Sequence, residues 1–474
     1  MSRSRKFDRN AILTNRSLPE VYNSLVDLAQ EFAVLGEVDT ARTLISLLLR
    51  DTTSDWQRNQ IRHLEPFFAE TNQWPDEIPE KERIEEKSDK VATKHPRDAD
   101  DDDAAQDDET QLQELLKRAR DNDPKLGHRV PTSNPVDALA IAVRLTSKQT
   151  SDVQEVEKDS KVQEALGLIS DRLHKPRTIG YLAGRHEICP LLSTGALARK
   201  LPIDKDKIHA FGKEVVETFS ERFTNGRKSH ESESLSTKDL LLELERNTKA
   251  NSTSHYEEMG DPIPETLFVQ PPATDEQISN LEKRLEVTLP DDYKEFLKLS
   301  NGFGGTWNGY HPDPPLFGVD DVEWDDPDLA IPYLELHESI SGTFDLELSE
   351  RKEWPDSGQT VKIGYEDVLS VHLIPPKQTK NILEAYQEAM DGLATSDAMK
   401  QQALKTVKSR YGSWEELQKL EWSAVEQHDS DTLPYGTFRM LLEERLRKSM
   451  NEPYTEEGGK EKETFAYSCL ADSS

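Results

Sequence analysis

The chain has 474 residues, 59 Lys plus Arg against 91 Asp plus Glu, a formal charge of −32, and a hydrophobic content of only 34%. Even with its 22 glycines added, the apolar share stays below the roughly 45–50% of an ordinary globular chain, so part of it is expected to lie outside any core. A field of that sign repels nucleic-acid phosphates and anionic lipid, and neither is expected as a partner.

Cys189 and Cys469 have no second cysteine nearby, which rules out a disulfide framework and a zinc knuckle. No apolar run approaches the ~18 residues of a membrane span. The stretch from Met1 to Arg9 is polar and charged where a secretory signal would be apolar, so a cytoplasmic location is expected, with the nucleus as the other option.

Residues 1–73 read as a helical hairpin. Val21, Leu25, Leu28, Ala29 and Phe32 share one helical face, Ala41, Leu44, Ile45, Leu48 and Leu49 another, and Gly36-Glu37 separates them. The spacing of Leu25, Leu28, Ala29, Phe32, Gly36, Ala41 and Ile45 weakly resembles a tetratricopeptide repeat, although a single unit is too little to bury a continuous face. Residues 74–110 read as a disordered acidic linker, because Asp98 to Glu109 packs eight acids into twelve residues without a cation.

Residues 111–224 return to helical spacing at Leu112, Leu115 and Leu116, Val136, Leu139 and Val143, Leu166 and Ile169, and Val215 and Phe219. Inside this region Lys175 to Lys213 carries eight Lys or Arg against three acids. That segment reads either as a solvated helical face or as a dock for the acidic tract or an acidic partner. Residues 225–261 are polar and Ser-rich, with a short apolar piece at Leu240 to Leu244, and read as a second linker. Residues 262–376 hold half of the 26 prolines together with strand-like segments, and form the best candidate for a compact domain. Residues 377–450 read as C-terminal helices, and 451–474 as a disordered tail.

In the compact domain, Thr274 or Asp275 caps a helix whose stripe is Ile278, Leu281 and Leu285; Leu289-Pro290 starts a second, continued by Tyr293, Phe296 and Leu297; Asn301-Gly302 ends it. This run resembles the opening of a SUKH domain of the fungal cell-wall-assembly-regulator type. Val361 to Pro376, with Gly364, Asp367, Val371 and Ile374, resembles the strand-turn-strand that closes the same domain. The resemblance implies a multidomain α+β protein whose central domain packs helices on a mainly antiparallel sheet. It also implies a binding module without catalytic residues, since the family includes scaffolds of cell-wall and signalling pathways and immunity proteins that neutralise toxins. Ile278, Leu281, Leu285, Leu289, Pro290, Tyr293, Phe296, Asn301 and Gly302 are then structural residues.

Chemistry outside that pattern is sparse. Gly302, Gly304, Gly305 and Gly309 do not make a phosphate loop, because Trp307 stands where a third glycine belongs. Asp320 to Asp328 places six acids around Trp324, yet lacks the glycine and the final glutamate of a calcium loop. The partner-binding candidates are Trp307, Tyr310, His311, Phe317, Asp320, Asp321, Trp324 and Asp325, since aromatics beside acids suit a basic or extended peptide. No cofactor, metal site or catalytic motif is expected. The leading expectation is a non-enzymatic scaffold or regulatory protein; the alternatives are a metal-dependent enzyme using the 320–328 loop and an immunity-like inhibitor of a basic protein.

Overall fold

The computed structural model describes residues 7–52, 61–83, 108–120, 133–171, 173, 178–201, 203–309, 311–326, 355, 358–392, 397–428 and 431–450. Most of the acidic tract, Tyr310, the 327–328 end of the acidic loop and the 451–474 tail therefore lie outside the described residues. The described residues divide into two compact units, one comprising those up to Asn15 and from Pro19 to Gly226, the other Arg16–Leu18 and the described residues from Arg227 to Met450.

The described part of the first unit is helical: α1 (Arg9–Thr14), α2 (Leu18–Val34), α3 (Val38–Asp51), α4 (Glu65–Thr71), α5 (Asp108–Arg120), α6 (Ser133–Ser147), α7 (Val153–Lys158), α8 (Ser160–Ser170), α9 (Thr178–Ala183), α10 (Cys189–Ser193) and α11 (Lys205–Asn225). Helices α2 and α3 form the hairpin, with Leu25, Leu28, Ala29, Phe32, Ala41, Leu44 and Ile45 all buried. Gly36 between them needs to be glycine twice over. Its φ is +87, and a Cβ there would stand 2.6 Å from the backbone of Gly195.

Two features of this unit differ from the sequence reading. The linker expected from residue 74 starts with a packed residue, since Trp74 is buried with its ring 6.0 Å from that of Phe68. At its other end, Asp108 and Glu109 open α5, where acids suit the positive end of the helix. Arg144 and Lys148 of α6 meet Asp108 at 2.6 and 3.1 Å, and Lys161 of α8 meets Glu109. The cations that receive the end of the acidic tract are thus not those of the 175–213 segment. Within that segment, Arg185 pairs with Asp137 and Arg199 with Glu157.

The second unit contains α12 (Thr237–Asn251), α13 (Thr253–Met259), α14 (Asp275–Leu285), α15 (Asp291–Leu297), β1 (Glu323–Asp325), β2 (Thr360–Glu366), β3 (Leu369–Ile374), α16 (Pro376–Gly392), α17 (Ala398–Tyr411), α18 (Trp414–Leu417), β4 (Ser423–His428), β5 (Asp431–Gly436) and α19 (Phe438–Ser449). The strands form one antiparallel sheet in the order β1-β2-β3-β4-β5. Because side chains alternate along a strand, Val371 and Leu373 of β3 enter one core with α12, α14, α15 and α19. Ile374 of β3 and Val425 of β4 enter another, with α16, α17 and α18. Helices therefore cover both sheet faces.

The signature segment folds as its pattern predicts, with small shifts. Thr274 caps α14 and Gln277 returns the bond to the Thr274 N–H, a full capping box. Pro290 is the cap of α15 instead of its first helical residue. Gly302, unlike Asn301, takes a positive φ, at +104, and Glu286 does so at +54 as the C-cap of α14. Asn301 is a buried staple: its side chain accepts from the Val319 N–H at 2.8 Å and donates to Gln270 at 2.9 Å.

Larger differences flank that segment. Residues 225–261, read as a linker, contain α12, whose Leu240, Leu241 and Leu244 are fully buried in the first core. Three such side chains supply about 1.5–3 kcal/mol each on burial, more than a tether can leave unused. Residues 423–428 and 431–436, read as part of a helical run, are β4 and β5. Asp292 of the signature accepts the Arg439 N–H at 2.9 Å and so caps the distant helix α19. The Arg439 guanidinium donates to the carbonyls of Ser232 and Leu235 at the start of the unit.

Candidate functional site

The outer strand β1 gathers the candidate residues that remain accessible. Ahead of it, the Arg284 side chain of α14 donates to the carbonyls of Val319, Asp320 and Val322 at 2.6, 3.1 and 2.8 Å. That clamp fixes the turn, leaving Asp320 and Asp321 exposed. Trp324 is anchored by its indole N–H, which donates to Leu285 O at 3.0 Å, while 36% of its surface stays exposed. Glu323 and Asp325 point to the opposite sheet face, where Lys362 Nζ meets them at 3.0 and 3.3 Å. Burial pulls the Lys362 ammonium down, but its hydrogen bonds to these two carboxylates outweigh that and hold it above the ordinary lysine value.

Deeper on that face, His372 bridges Thr360 Oγ1 at 3.0 Å and Ser370 Oγ at 2.7 Å. Its imidazole is pushed down to about 4 by burial, against the nearby Asp325 charge, which pulls it up. His372 is therefore a neutral core residue at ordinary pH. Lys362 also bears on the metal reading of this loop, since its ammonium fills the space between two of the carboxylates. Among the described residues, no group of three or more His, Cys, Asp or Glu side chains could hold a metal ion.

The other aromatic candidates are not gathered at this edge. Trp307 is 1% exposed; its backbone N–H donates to Thr248 Oγ1 at 3.0 Å, and its ring lies 5.8 Å from that of His255. A ring so covered by α12 and α13 cannot meet a partner. His311 is a half-buried turn residue, with Nδ1 2.7 Å from Pro312 O. Phe317 packs partly buried against the first core, and its N–H donates to Ile363 O at 2.7 Å. Tyr310 lies outside the described residues.

Beneath the 306–314 loop lies a buried group of charges. Arg445 of α19 is fully buried; its Nε donates to Glu426 of β4 at 2.8 Å and its Nη1 to Pro314 O at 3.0 Å, with Asp313 4.0 Å away. The Tyr435 hydroxyl donates to the other Glu426 oxygen, and Lys448 Nζ donates to that hydroxyl at 3.0 Å. Two cations thus balance two carboxylates, as burial requires. Burial lowers the Arg445 guanidinium, but Glu426 and Asp313 overcome this and raise it. Sequence reasoning missed Arg284, Lys362, Glu426 and Arg445. Only Arg284 left a signal, a cation on the polar side of the stripe Ile278, Leu281 and Leu285.

The fold is thus an α+β domain in which two capped helices pack on an antiparallel sheet and the signature side chains are spent on the core. Residues 272–372 match the SMI1 / KNR4 family (SUKH-1), so the chain carries a SUKH domain. That match supports a protein-interaction or regulatory role at the level of the family. It takes in α14, α15 and β1 to β3, while α12, β4, β5 and α19 of the same core lie beyond it. No curated protein and no solved structure matches the chain. Among the described residues, no helix is long and apolar enough to cross a membrane.

Proposed function

We propose that the SUKH domain binds a protein partner through the β1 edge, around Trp324, Asp320, Asp321 and Asp325, and performs no catalysis and holds no cofactor. The observation that carries this reading is the division of labour among its residues. The signature side chains Leu281, Leu285, Tyr293 and Phe296 are spent on the core, whereas Trp324 stays partly exposed on β1, just after the clamped turn and beside exposed acids. A half-exposed aromatic held in place among charges is suited to anchor a partner at low entropic cost. The setting we favour is a scaffold or regulator of a cell-wall or signalling pathway, in the cytoplasm or nucleus.

Affinity capture with the full-length chain tests this. A saturable protein partner is expected, and Trp324→Ala should release it while the domain stays folded. Capture indifferent to Trp324→Ala and to Asp320→Asn with Asp321→Asn would remove this edge as the contact face. The exposed acids also favour a second reading, an inhibitor that covers a basic protein. Steep weakening of the captured complex with salt would support that reading, because surface charge is screened beyond about 8–10 Å at physiological ionic strength.

A further inference from the structure

We infer that the β1 edge takes its partner as an added strand: an extended, basic segment pairing with Glu323–Asp325. This rests on the reading of that edge as the contact face, and adds the mode of binding and the chemistry of the ligand.

The sheet has two outer strands, and they are not equivalent. β5 contains Pro434, which has no backbone N–H to offer. β1 contains Glu323, Trp324 and Asp325 and no proline; among the described residues it is paired with β2 alone, and the backbone groups that alternate away from β2 face the outer edge. An edge of that kind is a template for another chain. It is also preformed, because the three Arg284 bonds hold the turn that leads into it. The cost of ordering then falls on the partner alone.

Side-chain alternation specifies the ligand. Glu323 and Asp325 face one side and Trp324 the other, so a strand laid beside them presents alternate residues to the carboxylates and to the indole. Lys362 supplies one positive charge against those two carboxylates, and Asp320, Asp321 and Asp326 add further negative charge at the exposed surface. Lys or Arg on one face and an apolar residue on the other complete the site. A second copy of this chain would bring acids against acids at the same edge, so the charge that attracts a basic strand also opposes self-pairing.

The test uses the full-length protein and a blocked peptide of about ten alternating lysines and valines, the strand-addition ligand in its simplest form. Two controls share its length: one with every backbone nitrogen methylated, and one with glutamate in place of lysine. The lysine peptide is expected to bind, to add hydrogen-exchange protection at Glu323–Asp325, and to lose about ten-fold in affinity on methylation or with Trp324→Ala. The glutamate peptide should not bind. Failure of the lysine peptide to bind, equal binding of the methylated peptide, or protection at residues 432–436 instead of 323–325 overturns strand addition. The parent reading fails on a different result, protein capture that ignores Trp324→Ala. Capture that needs Trp324 while the methylated peptide binds as well as the parent peptide leaves the contact face standing and removes only the added strand.

Discussion

Trp307, in a glycine-rich loop, and Trp324, on strand β1, belong to one domain and end in opposite environments. Trp307 is covered by α12 and α13, two helices that precede the signature segment, and its loop rests on the buried Arg445–Glu426 pair from β4 and α19. Trp324 is held at the end of α14, through its bond to Leu285 O, and keeps a third of its surface. Residue type is the same in the two places, while the sequence neighbours differ: Thr306 and Asn308 flank Trp307, and Glu323 and Asp325 flank Trp324. Exposure was set by elements far away in sequence, which either close over a ring or leave it open.

The strongest way to break this contrast is Glu426→Ala. It strips Arg445 and Tyr435 of their shared acceptor and leaves a buried cation uncompensated, so a loss of about 5 kcal/mol is expected, the upper end for breaking a buried pair. Chemical denaturation of the full chain measures it, and a loss below about 1 kcal/mol, typical of an exposed pair, would show that the group is not buried as described. Trp307→Ala should cost about 4 kcal/mol, because a large ring leaves a cavity that its neighbours cannot fill. A value near that of Trp324→Ala would dissolve the distinction between the two rings.

A pH measurement sharpens the β1 side. The His372 imidazole titrates near 6.5 when unfolded and near 4 in the folded domain, where burial lowers it. Between those pH values the unfolded chain binds a proton that the folded one refuses, so stability rises with pH from about 4 to 6.5 and levels off above. The total is on the order of 3 kcal/mol. His372→Gln should flatten that slope in a denaturation series across the same range. The smallest effect belongs to Trp324→Ala, which should change folding stability by no more than about 1 kcal/mol, as for other half-exposed side chains, while weakening partner capture.

What could be read in advance follows from range. The stripe Ile278, Leu281 and Leu285, a cap at Thr274 or Asp275, and the strand-turn-strand pattern from Val361 are legible because each depends on residues within one or two turns of chain. Leu240, Leu241 and Leu244 were visible as apolar residues, but a short apolar piece between polar stretches does not say that a sheet lies ready to receive it. β4 hides better still. Of Ser423 to His428 only Ala424 and Val425 are apolar, and Glu426, the residue that anchors α19, looks like a surface acid until Arg445 is placed beside it. The proposed contact edge was half legible: the acids and Trp324 stood out, while Arg284 and Lys362, which shape it, did not.

Sequence alone therefore determined the local pieces of this protein: the capped helices, the hairpin of β2 and β3, the family resemblance of the central domain, and the net charge of −32. Those properties are sums or short-range patterns, carried by the chain whatever it packs against. Only the tertiary structure decided that α12, β4, β5 and α19 belong to the same core as the signature, that Asp292 caps a helix near the far end of the chain, and which tryptophan stays outside. Burial and pairing depend on which surfaces meet, and those surfaces come from segments more than a hundred residues apart.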